Sequence, residues 1–363
     1  MGVPRQIWRT WWVPWIALVI GCEEPPTAPP DTGAPPIEVP AEVVEAAPEE
    51  LRSLFLGEDD SRMRESLATE DLLDIERGRG GRSLAFKITL ANGTRGYFKP
   101  EQTFSAARWY SEVAAYYLDR ELGLGRAPPT VGRRLFWPPL RRAARDDARV
   151  DEVIVSDRAV RGAFIGWIDG GLPTLNLPQH WEREVRLNGR MAISPYQRPA
   201  DYRGLLNETL DASETELGQL PPIEDALPAE RIAELSDLIV FDYLISNVDR
   251  WGGGFTNVRT RGRNGPLIFL DNGAGFWIGH RLGLMDARLE SLQRFRRSTV
   301  DALERFDAQR FRQRLSEDPL DPILTERQLD GLEIRRQAVL THVRAMRARY
   351  GDRIWAVQES VQE

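Results

Sequence analysis

Lysine is almost missing from this chain. Of its 48 basic residues only Lys87 and Lys99 are lysine, and every other one is arginine. Cysteine is rarer still, with Cys22 alone, and the three histidines (His180, His280, His342) are scattered without ligand spacing. Histidine/cysteine metal sites, disulfides and a cysteine nucleophile in the folded body are thereby excluded. A surplus of positive charge is also lacking. The net charge of −7 argues against nucleic acid as a partner, because phosphate-tracking proteins need a basic excess. The arginines from Arg133 to Arg149 are interleaved with Trp137, Asp146 and Asp147 and read as a solvated face.

The first segment reads as an address. MGVPRQIWRT carries Arg5 and Arg9, and WWVPWIALVIG then gives an apolar run too short to span a bilayer stably. VIGC at 19 to 22 is similar to a bacterial lipobox. The expectation for residues 1 to 22 is therefore a signal peptide whose Cys22 is lipidated, with a plain signal peptide or a marginal anchor as alternatives. Gln6 stands where myristoylation asks for Ser or Thr. Residues 23 to 50 are rich in Pro, Ala and Glu and read as a disordered stalk. The chain is expected to be an exported lipoprotein of the cell envelope, with its folded part beginning near residue 51.

Both lysines fall in SLAFKITLANGTRGYFKP (83 to 100), which reads as a hairpin turning at Asn92-Gly93. Lysine is a compact point charge and arginine a wide planar fork, so a tight phosphate pocket accepts one and excludes the other. Chance retention on an exposed strand is the alternative. A strict two-residue loop would put Phe98 opposite Lys87. One residue more pairs Ile88 with Phe98 and Lys87 with Lys99, separating a greasy face from a charged one, and that register is preferred. Upstream, Gly78, Gly80 and Gly81 form either a phosphate-facing loop or a flexible entry to the strand. Residues 105 to 124 read as a helix whose apolar stripe (Trp109, Val113, Tyr116) also carries Glu112. That carboxylate needs a partner: Arg108 at i−4, or Lys99, or a bound cation. EVIVS and AFIGWIDGG (152 to 171) read as strands, the second leading through Gly166 and Trp167 into a hinge.

In the second half, 228 to 247 reads as a helix with Ile232, Leu235, Leu238, Ile239 and Tyr243 on its buried stripe. It runs into VDRWGGGFTNV, a short strand PLIFL, and DNGAGF. Asp249 and Asp271 thus sit at a helix exit and a strand exit, where loops present chemistry. Taken singly, DNG is a common turn and Asp249 could merely cap backbone. Together with Lys99 they supply the parts of phosphoryl transfer in kinase order: a lysine on the phosphates, oxygen ligands for a divalent cation, and a base. Asp249 would be the base and Asp271 the metal ligand, with Asn257 a second ligand. Such oxygens suit Mg²⁺ or Mn²⁺.

FDYLISNVDR followed by IFLDNGAGF resembles the Fam20 and four-jointed family of secretory-pathway kinases. The likeness extends back through GYFKP and SEVAAYYLDRELGLGRAPPTVGR and forward through GHRLGLMD and SLQRFRRST, over about residues 80 to 300. The four-jointed branch is the more similar, by FDYL and the LDN-AG-GHR run. The resemblance implies an α+β, two-lobed, atypical kinase-like fold, with a small β-rich N-lobe (51 to 168) holding one key helix and a larger helical C-lobe (169 to 363). It implies ATP as co-substrate, Lys99 on its phosphates, Glu112 pairing with Lys99 or touching the cation, Asp249 as base and Asp271 on the metal. Lys87, by the same resemblance, and Gly80 and Gly81, on the phosphate-loop reading, are expected as further nucleotide contacts. Two departures stand out. Animal members are stitched by disulfides, so here the hydrophobic core must suffice, and Asn257 follows Asp249 at a longer interval than in the H-R-D-x-x-x-x-N loop of protein kinases. The function expected is transfer of a phosphoryl group from ATP to Ser/Thr of secreted or envelope proteins. The alternatives are a sugar or lipid-headgroup hydroxyl as acceptor and an inactive scaffold. Residues 172 to 227 are expected to shape acceptor access or to be a solvated insertion.

Overall fold

The computed structural model describes residues 54–178, 181–187, 196, 226–251, 257–278 and 282–357. The expected signal peptide, Cys22, the stalk, His180, His280 and most of 172 to 227 lie outside the described residues.

After a two-stranded ribbon (β1, Leu54–Phe55; β2, Glu58–Asp59) and helix α1 (Ser61–Thr69) comes an antiparallel five-stranded sheet. Its strands are β3 (Leu72–Arg77), β4 (Phe86–Leu90), β5 (Arg95–Pro100), β6 (Thr130–Phe136) and β7 (Ala159–Gly166), ordered β3-β4-β5-β7-β6. Helix α2 (Trp109–Glu121) follows β5, and α3 (Trp137–Ala144) follows β6. One face of the sheet is apolar: Phe86, Ile88, Leu90, Phe98, Val131 and Phe164 are buried together with Leu67 of α1 and Leu140 of α3.

The hairpin register differs from the expected one. Phe86 pairs with Phe98, Lys87 with Tyr97 and Ile88 with Gly96, and the turn is Ala91 to Gly93, closed by the Leu90 N–H donating to the Thr94 carbonyl at 2.8 Å. Gly93 takes φ +85°, which a three-residue hairpin loop requires near its end. Distant packing sets the register. A Cβ at position 96 would lie 2.5 Å from Phe164 and 2.8 Å from Leu67, so only glycine can stand opposite Ile88. The slide is by two residues, which preserves side-chain parity, and both lysines still share the face away from the core.

Two other elements depart from expectation. EVIVS is not a strand: Ala148–Glu152 is a 3₁₀ turn, begun by the Asp147 side chain accepting from the Arg149 N–H at 3.0 Å, and only Val153 and Ser156 make single bridges. Helix α2 starts at Trp109 instead of 105, because the Arg108 N–H donates across the chain to the Gly273 carbonyl at 3.0 Å.

The second core surrounds α4 (Ala229–Ile245), whose expected stripe is buried along with Val240, Phe241, Leu244 and Ile245 on its other sides. A helix apolar all round belongs inside a larger body. Around it lie α5 (Leu282–Ser291), α6 (Arg297–Arg305), α7 (Ala308–Leu315) and the long α8 (Glu326–Tyr350), which opens on a capping box between Thr325 and Gln328. A small ribbon, β8 (Arg259–Thr260) with β9 (Leu267–Ile268), carries the chain toward Asp271. Among the described residues no helix is long and apolar enough to cross a membrane.

Candidate active site

A cleft of about 600 Å³ runs between the sheet and the helical part, within the usual size of a small-molecule site. Its lining is apolar in part, with Ala127, Pro128, Ile165, Trp167, Leu172 and Leu270. Lys99, Glu112, Asn257, Arg259, Asp271 and Asn272 line it as well, together with Gly80, Gly81 and Ser83 of the glycine loop.

Lys99 is the junction. Strand β5 points it away from the sheet core, and its ammonium donates to Oε1 of Glu112 and Oδ1 of Asp271, each at 2.6 Å. The two carboxylate oxygens are therefore no farther apart than twice that distance. Glu112 does not pair with Arg108; the Arg108 guanidinium stacks on Trp277 at 3.5 Å. Glu112 is only 4% exposed, and besides Lys99 it accepts from the backbone N–H groups of Asn272 (3.0 Å) and Gly273 (3.1 Å). One helix carboxylate thus fixes both the lysine and the DNG turn. Asp271 itself stands at φ +59°, a left-handed conformation that aspartate tolerates better than most side chains, and half of its side chain faces the open cleft.

Charge follows geometry. Burial alone would lower the pKa of Lys99, but Asp271 and Glu112 together outweigh it and hold the ammonium well above the ordinary lysine value. Lys99 in turn holds the Asp271 carboxyl below the usual carboxylate range.

Asp249 is placed beside this group rather than in it. It is exposed, four residues past the end of α4, and is not among the residues lining the cleft. Desolvation by the surrounding protein, and then the charge of Asp271, raise its pKa above that of an ordinary aspartate. Asn247 joins the two loops: its Oδ1 accepts from the Asp249 N–H at 3.1 Å and its Nδ2 approaches the Asp271 carbonyl at 3.4 Å. Lys87 is not a lining residue either. Its ammonium lies 5.2 Å from the centre of the Trp167 ring, so it meets the cleft through that ring.

Sequence reasoning missed the support under these groups. Arg250 is fully buried and donates to Asp242 of α4 at 3.0 Å and to Oδ1 of Asn272 at 2.6 Å, while Asn272 Nδ2 donates to the Phe269 carbonyl at 2.9 Å. Asp242, Arg250, Asn272 and Glu112 form one buried path from α4 to α2. The Arg directly after Asp249 was the available signal, but its burial cannot be read from sequence. Replacing Glu112 by Ala would leave two backbone donors and part of the Lys99 charge without an acceptor. We expect a loss of about 3 kcal/mol in folding stability, read as a lowered denaturant midpoint at constant slope.

An antiparallel sheet bearing a lysine, a helix bearing its glutamate partner, and a cleft closed by an aspartate turn define an atypical kinase-like protein. Comparison with known proteins agrees. The family model "Fam20C: Golgi casein kinase, C-terminal, Fam20" matches residues 178–353. Extracellular serine/threonine protein kinase FAM20C of Homo sapiens is 25% identical over 321 residues, 77% of this chain and 52% of that protein. Glycosaminoglycan xylosylkinase of Danio rerio is 28% identical over 310 residues, 77% of this chain and 73% of that protein. Four-jointed box protein 1 of Mus musculus is 30% identical over 246 residues, 60% of this chain and 46% of that protein. Pseudokinase FAM20A of Mus musculus is 27% identical over 290 residues, 70% of this chain and 50% of that protein. Against several of these relatives the chain thus spans about half their length. The fold matches the crystal structure of the Golgi casein kinase with Mn/ADP bound at a TM-score of 0.60 and 20% identity, covering 86% of this chain and 83% of that one. The chain is similar to the Fam20 family, four-jointed proteins included.

Proposed function

We propose that this chain is an exported phosphotransferase that moves the γ-phosphoryl group of ATP to a hydroxyl, with Ser/Thr of secreted or envelope proteins as the acceptor class. The observation that carries the reading is the single ammonium of Lys99 held at 2.6 Å by both Glu112 and Asp271, in the cleft that the glycine loop also lines. The apolar residues of the cleft take the adenine and the charged ones its phosphates. Lys99 neutralises phosphate charge, and Glu112 keeps it aimed. Asp249 accepts the acceptor's hydroxyl proton as the new O–P bond forms and the β–γ bridging bond of ATP breaks, releasing ADP. Its raised pKa suits a base.

A divalent cation fits the donor chemistry of this wall: the oxygens of Asp271 and Asn257, with Glu112 as a further carboxylate, are hard ligands of the kind Mg²⁺ and Mn²⁺ take. When bound, the cation would neutralise phosphate charge, with Asp271 as the residue that would hold it.

The test is phosphotransfer from labelled ATP with Mn²⁺, offering the protein itself, Ser/Thr peptides and a xyloside in separate arms. Label on protein or peptide supports the proposed acceptor, and label on the xyloside alone moves the acceptor to sugar. A binding-only scaffold is the second reading. It is favoured by one observation: the 27% identity over 290 residues to Pseudokinase FAM20A of Mus musculus. It prevails if no arm takes label and ADP with Mn²⁺ leaves the melting temperature unmoved. The N-terminal motif adds a location: lipid on Cys22 would tether the protein to a membrane of the cell envelope, with 23 to 50 as stalk. Absence of label at Cys22 after growth with radioactive palmitate would remove that tether.

A further inference from the structure

We propose that Arg149 is a positioning residue for phosphoryl transfer, acting as a strap that holds the glycine loop over the cleft through the Gly81 and Ser83 carbonyls. This rests on the kinase reading for its consequence, though not for its geometry. Nη1 of Arg149 donates to both carbonyls at 3.0 Å. The guanidinium is itself held in a fork: Nε donates to Oδ1 of Asp147 at 2.9 Å and Nη2 to Oδ2 at 2.6 Å. Arg77 of β3 donates to the same Asp147 oxygen at 3.0 Å, so the strap is anchored to the strand that enters the loop. Within the loop, Arg82 makes a bidentate pair with Glu152 at 2.9 and 2.6 Å, at the far end of the same 3₁₀ turn.

Only arginine has the donors for this. One nitrogen serves two carbonyls while two others face a carboxylate in its own plane, a division a lysine ammonium cannot reproduce. A trans peptide points its N–H opposite its carbonyl. Turning the Gly81 carbonyl toward Arg149 therefore turns the Arg82 N–H away from Arg149, in a loop whose Gly80, Gly81 and Ser83 line the cleft. The feet of the loop are fixed as well: the Leu84 N–H donates to Gln102 at 2.7 Å, and the Gly78 N–H donates to the Ala85 carbonyl at 2.8 Å. Between these feet the strap is what orients the loop backbone. The Arg133 to Arg149 cluster, expected to be only a solvated face, thus ends in a residue with a defined task.

Two variants of the full chain test this, Arg149→Met and Asp147→Ala, which slacken the strap from its two ends. In the nucleotide-free protein, amide hydrogen exchange across residues 78 to 83 should quicken by about tenfold in both if the ordered loop falls to a minor share of its population. Unchanged exchange overturns the strap whether or not the protein binds nucleotide. With Mn²⁺ present, the same loss of loop order raises the ADP dissociation constant by about tenfold and leaves that of adenosine within about twofold. A merely structural residue would weaken both ligands alike, and that result overturns the proposal. If wild type takes no ADP at all, the kinase reading fails while the strap still stands or falls on exchange.

Discussion

Asp271→Ala should abolish measurable phosphotransfer while the protein remains folded. The carboxylate is half exposed to the cleft, with one oxygen on Lys99 at 2.6 Å. Little of the core depends on it, because the DNG turn is fastened through Asn272 and Gly273 to Glu112, and through Asn272 to Arg250. If Asp271 fixes the metal at the phosphates as proposed, its loss should cost about 10³-fold or more in kcat, on the scale of removing one preorganised electrostatic stabiliser. Initial rates beside wild type, with thermal unfolding of both, provide the check. Equal rates would remove the metal role of Asp271, and a collapsed melting transition would reassign it to folding.

Lys99→Arg is the second large effect, and it bears on why lysine survives at all in an arginine chain. The ammonium fits as a point between Glu112 and Asp271 at 2.6 Å from each, with its side chain 14% exposed. A guanidinium would keep the charge and could bond one carboxylate bidentately, but it is too wide to sit between both and still present a compact charge to a phosphate. We expect folding to persist and kcat/KM to fall by about 10²-fold, a loss of roughly 2.7 kcal/mol in transition-state stabilisation. Activity within a factor of two of wild type would return Lys99 to chance retention. At Lys87, whose ammonium meets Trp167 instead of a carboxylate, the same substitution should matter far less.

The parts of the site legible in the sequence are those that conflict with their surroundings. Glu112 stands on an apolar helix face, and Lys99 is one of two lysines among 48 basic residues. Asp271 stands three residues past the buried strand β9, in a turn. The alternation of 83 to 100 gave both faces of the hairpin correctly and its register wrongly. Faces depend on local parity, whereas register here depends on Phe164 and Leu67 pressing on Gly96 from distant elements. Asp242, Arg250 and Arg149 could not be distinguished in advance, since each looks like any other charge in a chain rich in arginine and aspartate. Their meaning lies in partners such as Asn272 and the Ser83 carbonyl, which the fold alone brings near.

The most direct test of the central claim, that Lys99, Glu112 and Asp271 surround a nucleotide and its cation, is calorimetric titration of the full chain with ADP, with and without Mn²⁺. The account predicts binding with Mn²⁺ that weakens by about tenfold or more when the metal is chelated, and that loses this metal dependence in Asp271→Ala. ADP binding of equal strength with and without Mn²⁺, or binding in which Asp271→Ala matches wild type, would contradict it.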